Sequence, residues 1–456
     1  MLKTCSPDSL HPSYHLSNAH LQRKLMATSF ALESSLLSKL DNRKRRNQPR
    51  WDADIIHSDK AGDFFSGDYL SLSHHPHLRQ KFLNALASEP LLLGSTGSRA
   101  LTGSTANHIG LEKYFAEELG AERTMVYVSG YTANVTFFGC VPQAGDAILF
   151  DEYIHASVHD GIRLNRARLG GALAFQHNSL VDLEAKVKDI INRCPKIQEG
   201  KATLFVVVES VYSMDGDFGP LDGILEIVER LVPRESAHVV VDEAHSIGLY
   251  GPEGKGLVRA WGLEKRVHTV VMTFTKTLNF IGGVITTNAI IYEYLSNHSV
   301  PWMFTSAAAH VDIIGMKFCF DVLKSAEADR LRETVMNLSH FFMSHFTLST
   351  RDIPKSGLSL LNSETKNLNS RGLISPIFAI FSPDVVALQN HLNEKGYAAR
   401  ALAPPAVPRG EERLRVVIHA GNSEEQIKSL VEALREWALA QNSNVIKQDG
   451  ALRSKL

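Results

Sequence analysis

The sequence predicts an α/β fold, a large domain with a mostly parallel sheet followed by a smaller C-terminal α+β domain, and three observations carry that prediction. The first is a series of short, β-branched, nearly all-apolar runs: Met125–Val128, Ala147–Phe150, Leu204–Val208, His238–Val241 and Thr269–Phe274. Strands buried on both faces have this composition. The second is what lies between them, helical stretches such as Asn107–Leu119 and Leu221–Leu231. Such alternation is what parallel strands joined by crossover helices require. The third is a change of pattern after Pro301, to a helical stretch over Ala307–Phe346, a Ser/Asn-rich loop over Ser356–Ser370, and then strand, helix, strand and helix to about Ala440.

Taken in order, residues 1–62 form an N-terminal extension whose helix, Ala27 to Arg46, ends in the basic cluster Arg43-Lys44-Arg45-Arg46. A charge run of this kind is most simply a solvated face. Met26 offers a second start. Residues 63–300 make the large domain, 301–440 the small one, and 441–456 a polar tail. The 456 residues carry 48 Lys+Arg against 49 Asp+Glu, a formal net charge of −1, which argues against a nucleic-acid-coating surface or an anionic-membrane binder. A 44% hydrophobic content sustains a large core. No run approaches the roughly 20 apolar residues of a spanning helix, and the first residues, broken by His and Pro, lack the apolar stretch of a signal peptide. Cys5, Cys140, Cys194 and Cys319 lie far apart with no Cys-x-x-Cys, so neither a disulfide framework nor a thiolate metal site is readable, and a reducing compartment is expected. Ser454-Lys455-Leu456 form the peroxisomal import address, read by a receptor at the free carboxyl end. Peroxisome is the expected location, with cytoplasm otherwise.

The residues with chemistry gather at strand ends, where ligands of open α/β sheets bind. Strand Val239–Val241 runs into Asp242-Glu243-Ala244-His245, and strand Thr269–Met272 into Thr273-Phe274-Thr275-Lys276. An acid and a lysine therefore face one crevice. A lysine at a strand end is usually solvated, but this one is flanked by threonine hydroxyls and followed by Gly282-Gly283, which permit close backbone approach. Hydroxyls and glycines suit a phosphate. Asp-Glu-Ala-His after a strand also matches a nucleic-acid helicase motif, but that requires an upstream G-x-x-x-x-G-K-[ST] loop, which the chain lacks. His74, His75 and His77 place no two rings at the i, i+4 separation, so no metal is expected there. An imine-forming lysine, an aspartate for a pyridinium nitrogen, and donors for a phosphate describe a pyridoxal 5′-phosphate site.

Eight motifs in order then resemble the α-oxoamine synthases, pyridoxal-phosphate enzymes that condense an amino acid with an acyl-CoA. They are Gly67-Asp68-Tyr69-Leu70-Ser71-Leu72-Ser73-His74-His75-Pro76, Gly94-Ser95-Thr96-Gly97-Ser98-Arg99, Ser129-Gly130-Tyr131, His155-Ala156-Ser157, Glu209 to Asp217, Asp242-Glu243-Ala244-His245, Thr273-Phe274-Thr275-Lys276 and Arg413-Leu414-Arg415. The resemblance runs from about Leu40 to Leu434. It implies a fold-type-I, aspartate aminotransferase-like transferase. It also implies that Lys276 carries the cofactor and later removes the α-proton, that Asp242 keeps the pyridine nitrogen protonated, and that His155 stacks on the ring. Gly130 and Tyr131 amides would meet the phosphate at a helix N-terminus, with hydroxyls from Thr273 and Thr275. His245 would bond the phenolic oxygen, Ser213 and Glu209 would line the pocket, and Arg415 would take the amino-acid carboxylate. Arg50 matches a position that contacts the acyl substrate, and His108 one at the entrance.

Within the family the resemblance is strongest to the branch that joins L-alanine to pimeloyl-CoA, giving 8-amino-7-oxononanoate, CoA and CO2 in biotin synthesis. It implies a homodimer with shared active sites, Thr305 and Ser306 reaching the partner. The family usually has Asn at Gly67, Ser at Thr275, and Arg-Pro-Pro-Thr where this chain has Ala403-Pro404-Pro405-Ala406. The last departure bears on the acyl substrate more than on the chemistry. Open alternatives are a glycine C-acetyltransferase-like enzyme, a specialised-metabolism condensing enzyme, an aminotransferase and a non-catalytic partner subunit. Lys276 discriminates against the last, because a scaffold subunit typically lacks that lysine.

Overall fold

A computed structural model describes residues 31–45, 62–167, 169–354, 357–360, 371–404 and 406–453. Met26, Arg50, Ser454, Lys455 and Leu456 lie outside these. The chain divides into two units, residues 1–55 and 56–456. Of the first, the helix Ala31–Arg45 is described; it begins with Glu33 in its first turn, where a carboxylate favours the positive end of the helix dipole.

In the second unit, the apolar runs become strands β1 (Arg123–Tyr127), β2 (Ala147–Asp151), β3 (Gly171–Phe175), β4 (Leu204–Glu209), β5 (Ala237–Asp242), β6 (Thr269–Thr273) and β7 (Gly283–Thr287). They form one sheet in the order β1-β7-β6-β5-β4-β2-β3. The pairs β2/β3, β2/β4, β4/β5 and β5/β6 are parallel, and β7 runs antiparallel to both its neighbours. Every residue of β2, β4, β6 and β7 is buried, which is why their sequences show no polar alternation. Helices cover the faces; Leu221–Leu231, for instance, buries Leu221, Ile224, Leu225, Ile227 and Val228, the spacing of a helical stripe. Two strands escape the sequence pattern. β3 is an edge strand in which three of the five residues of Gly171-Ala172-Leu173-Ala174-Phe175 are glycine or alanine, and β7 opens on Gly283, which with Gly282 reads as loop.

After Pro301 the structure corrects three expectations. The helical stretch Ala307–Phe346 is two helices, His310–Leu323 and Ala326–Ser349; Ser325 turns extended between them and its hydroxyl accepts the Ala328 amide at 3.2 Å. Within the expected loop, Ser359–Leu360 forms β8 and pairs with β9 (Ile377–Phe381). Beyond the helix Val385–Glu394, two strands rather than one follow, β10 (Arg400–Leu402) and β11 (Arg413–Val417), completing an antiparallel sheet in the order β10-β11-β9-β8. The expected polar tail is helical as far as Arg453, as a continuation of the helix that starts at Glu424. Among the described residues no helix is long and apolar enough to cross a membrane.

One close approach positions the site. Gly283, the first residue of β7, lies so near the Ser129–Gly130 peptide that a Cβ there would fall 2.4 Å from the Ser129 carbonyl. Gly283→Ala is therefore expected to push the Gly130 helix start off the sheet, destabilising the fold by about 1–3 kcal/mol, the usual range for overpacking. Thermal unfolding with and without added pyridoxal phosphate measures it, and a smaller stabilisation by cofactor than in the parent is the expected signature.

Candidate active site

Four parallel strands deliver charged side chains to one end of the sheet. Asp151, Glu209 and Asp242 are the last residues of β2, β4 and β5, and Lys276 follows β6. Glu209 and Asp242 stand in register across β4 and β5. All three carboxyls are buried. Asp242 is held by two donors, Asn134 Nδ2 at 2.7 Å and the Ala244 amide at 2.9 Å. Asn134 also donates to Ser157 Oγ at 3.1 Å, and Ser157 bonds His155 Nδ1 at 2.7 Å. His155 is the N-cap of the helix Ala156–Leu164, accepting the Ser157 amide, so its ring is fixed by backbone as well as by neighbours.

Burial dominates the electrostatics. It brings the Lys276 amine below its ordinary value, with Arg415 adding and Asp242 and Glu209 opposing. It lowers His155, against the pull of Asp242 and with that of Lys276. The Glu209 carboxyl is held well above the carboxylate range by burial and by Asp242, with Lys276 opposing. His245 is kept neutral by burial and by Lys276 and Arg415. Its Nδ1 meets the Tyr69 hydroxyl at 2.5 Å. Arg415, on β11, donates to the Ser213 carbonyl at 3.2 Å and the Phe65 carbonyl at 3.3 Å, while its buried Nε has no partner. Ser213 thus enters through its main chain.

On the other side of Lys276, Phe274 is buried against Phe115, ring centroids 5.4 Å apart, and its neighbours Thr273 and Thr275 share a hydroxyl contact of 3.0 Å. A Cβ at Gly130 would fall 2.8 Å from Thr273 Cβ, so only glycine lets this helix start against the threonine. The Gly130 and Tyr131 amides head the helix Gly130–Cys140, where no carbonyl within the helix can take them. Tyr131 is half exposed; its hydroxyl donates to Asp160 and its ring stands edge-on to His155 at 6.3 Å. Gly67 backs onto the lysine itself, a Cβ there falling 3.0 Å from Lys276 Cγ.

A model of the aminotransferase class I and II family matches residues 62–434. The chain belongs to that family. It is 37% identical over 379 residues to an 8-amino-7-oxononanoate synthase of Emericella nidulans, covering 82% of this chain and 89% of the relative. It is also 32% identical over 400 residues to the aminoacyl transferase sphA of Aspergillus fumigatus, covering 87% and 84%. Among solved structures, Sphingomonas wittichii serine palmitoyltransferase superposes with a TM-score of 0.74 at 26% identity, over 91% of this chain and 99% of that one. A structure of SPT with the PLP internal aldimine gives 0.71 at 26%, over 85% and 89%.

Pyridoxal 5′-phosphate is the cofactor of this class I and II fold, and the residues fit it. The glycine cradle at Gly130 and the Thr273 and Thr275 hydroxyls form a donor set for a phosphate, and the Asn134-anchored Asp242 is close enough to Lys276 for their charges to interact. Asn134, Ser157 and Tyr69 were not picked out as site residues from the sequence. Tyr69 and Ser157 lie within motifs that resemble the family's, while Asn134 lies one turn into a helix, where sequence spacing carries no sign of it.

Other expected site residues lie elsewhere. His108, expected at the entrance, is buried, with its ring between Thr105 Oγ1 at 2.8 Å and the Ala308 carbonyl at 3.0 Å, and burial lowers it to about 4. It lines a small cavity with Thr132, Trp302, Thr305 and Ser306, and no residue of the Lys276 cluster lines that cavity. Thr305 and Ser306 themselves are exposed. Of the three histidines, His75 bonds Glu327 at 2.9 Å. Among the described residues, His177, Asp215 and Asp217 bring metal-ligand atoms within 4.8 Å of one another, but both His177 nitrogens are committed to carboxylates, Asp151 and Asp217, each at 2.8 Å. Asp215 is spent on Arg413.

Two outcomes are expected. Lys276→Ala loses the borohydride-reducible bond to the cofactor, and mass spectrometry of the reduced, digested parent finds the adduct on Lys276. An adduct on another active-site lysine overturns the assignment. For His177, burial works against the charge, yet the bonds to Asp151 and Asp217 outweigh it and lift the ring to about 10 from an ordinary 6.5. A raised pKa contributes stability that is complete below the unfolded value and disappears as pH climbs through the folded one. The melting-temperature gap between the parent and His177→Gln is therefore widest below about pH 6.5 and closes towards pH 10.

Proposed function

We propose that the chain is a pyridoxal-phosphate-dependent α-oxoamine synthase that condenses L-alanine with pimeloyl-CoA to give 8-amino-7-oxononanoate, CoA and CO2. The observation that carries this reading is one cleft holding a desolvated amine, Lys276, and a guanidinium with a buried unpartnered Nε, Arg415. A carboxylate is the natural partner of the second and an acidified α-carbon the natural target of the first. The 37% identity to an 8-amino-7-oxononanoate synthase supports the particular substrates.

The cofactor, when bound, supplies an electron sink for the carbanion at the amino-acid Cα and for the loss of CO2. Arg415 would hold the carboxylate and so fix which Cα bond faces Lys276. The Lys276 amine, brought below its ordinary pKa, is the base that takes the α-proton. Asp242, set by Asn134 and the Ala244 amide, would keep the ring nitrogen protonated, and His155, set by Ser157, would pack against the ring face. Tyr69 and His245 form a neutral hydrogen-bonding pair beside the lysine.

A homodimer belongs to the same reading. Ser98 bridges to Ser306, so the exposed Leu101 and Phe304 lie on adjoining segments beside Thr305, an apolar surface that a second copy would cover. The terminal Ser454-Lys455-Leu456 argues for the peroxisome. A second reading, condensation with a different acyl thioester, is favoured by Ala403 and Ala406 and by the sphA relatives.

The test is complementation of a biotin auxotroph lacking this step, together with thiol release from a panel of acyl-CoAs and amino acids. Growth, and CoA release with alanine and pimeloyl-CoA, are expected. Release with another acyl-CoA but no growth would transfer the assignment to the second reading. Removing the last three residues is expected to leave catalysis intact in vitro and move a fluorescent fusion carrying the native C-terminus out of peroxisomes. Arg415→Lys should raise the KM for the amino acid about tenfold or more, the worth of a charge-assisted bidentate bond.

A further inference from the structure

Between β4 and the helix Leu221–Leu231, the chain folds back on itself. Val211 bridges Phe218, Tyr212 donates its amide to the Asp217 carbonyl at 3.0 Å, and Gly216 donates to the Tyr212 carbonyl at 2.9 Å. This small hairpin touches both sheets. Towards the large sheet, Asp217 accepts from His177 and from Asn178, each at 2.8 Å, and His177 reaches Asp151 at the end of β2. Towards the small sheet, Gly216 has a φ of 72° and sits so close to β9 that a Cβ would fall 2.1 Å from the Ile377 carbonyl.

The remaining contacts fall on β11. Arg413 and Arg415 are two residues apart and so project from one face of the strand. Arg413, 1% exposed, pairs with Asp215, while Arg415 bonds the Ser213 carbonyl at 3.2 Å. Two arginines at i and i+2 thus engage two hairpin positions at j and j+2. Arg413 is also tied at its base, its Nε donating to the Glu411 carbonyl at 2.9 Å, and its guanidinium lies 5.2 Å from the Phe381 ring centroid. Nothing in the proposed chemistry uses Arg413 or Asp215. A buried ion pair is weak support for stability but defines a geometry, since neither charge tolerates separation from the other.

We propose that Asp215 and Arg413 are positioning residues, whose pair sets the register of β11 on the hairpin and thereby the reach of Arg415 to the amino-acid carboxylate. The inference rests on the reading of Arg415 as the carboxylate-binding residue. It predicts a selective defect: the amino acid binds less well, while the acyl-CoA and the cofactor bind as before.

The experiment uses the cofactor-loaded enzyme and three variants: Asp215→Asn, Arg413→Lys, and the double variant Asp215→Asn/Arg413→Met. The double variant removes both charges at similar volume and keeps the test open if a single change unfolds the protein. Amino-acid binding is read from the visible-absorbance change on titrating L-alanine, glycine or L-serine, without any acyl-CoA present. KM for pimeloyl-CoA, cofactor content and melting temperature are measured alongside. About a tenfold or larger rise in the amino-acid dissociation constant is expected, with cofactor content and the acyl-CoA KM within about twofold of the parent, as a displaced carboxylate clamp would give. Unchanged amino-acid affinity in a folded double variant overturns the proposal, and so does an equal loss of amino acid, acyl-CoA and cofactor. A parent enzyme that binds amino acids but condenses none of them with any acyl-CoA defeats the synthase reading and leaves this inference to stand on the titration alone.

Discussion

Everything in the cleft depends on burying an amine among carboxyls at the ends of adjacent parallel strands. Parallel pairing brings Asp151, Glu209 and Asp242 to the same end of the sheet, because the three strands run in one direction and finish within a residue of one another. An isolated buried charge is costly, so the group must either pair or shed its charge. Lys276 shifts towards the neutral amine and Glu209 towards the neutral acid, while Asp242 is stabilised by Asn134. The polar outer ring, His155 with Ser157 and His245 with Tyr69, then has little freedom, since each ring nitrogen that bonds within the protein fixes the plane of the ring.

The sheet is also where the sequence was most informative. Strands buried on both faces have to be apolar, so β2, β4, β5 and β6 are visible as unbroken runs, and the residues that end them, Asp242 and Thr273 with Lys276 beyond, stand out because they break the pattern. β7 lacked such contrast: its opening glycine looks like loop, yet it is needed for contact with Ser129. The helix break at Ser325 was hidden for a related reason. A single serine among helix formers is an ordinary surface residue until its hydroxyl is seen to accept the Ala328 amide. The motifs carried the site further than periodicity did, bringing Lys276, Asp242, His155, His245 and Arg415 together from segments far apart in the chain. What they did not carry was the support behind those residues. Asn134 orients Asp242 from a helix whose local signals, the Ser129 cap and the glycine after it, mark only its start, and Asp215 meets Arg413 across nearly two hundred residues of sequence. Pairings over such separations leave no trace in local composition.

The departures from the family pattern fall unevenly. Gly67 touches the stem of Lys276, whereas Ala403 and Ala406 lie in a turn closed by the Ala406 amide on the Ala403 carbonyl at 3.1 Å. One departure therefore sits against the lysine, and the others in a turn of the C-terminal part of the chain.

The contact of Gly216 with the Ile377 carbonyl has a consequence for how such a chain can diversify. With no side chain between hairpin and strand, the two backbones act as mating parts with no shim, and neither can change its path without the other. A chimera that takes the small sheet from one relative and the hairpin from another inherits two halves cut to different tolerances. Recombination within this fold should therefore succeed when its crossover points keep the hairpin and β9 together with β11, and the natural unit of inheritance is that trio of segments rather than either sheet alone.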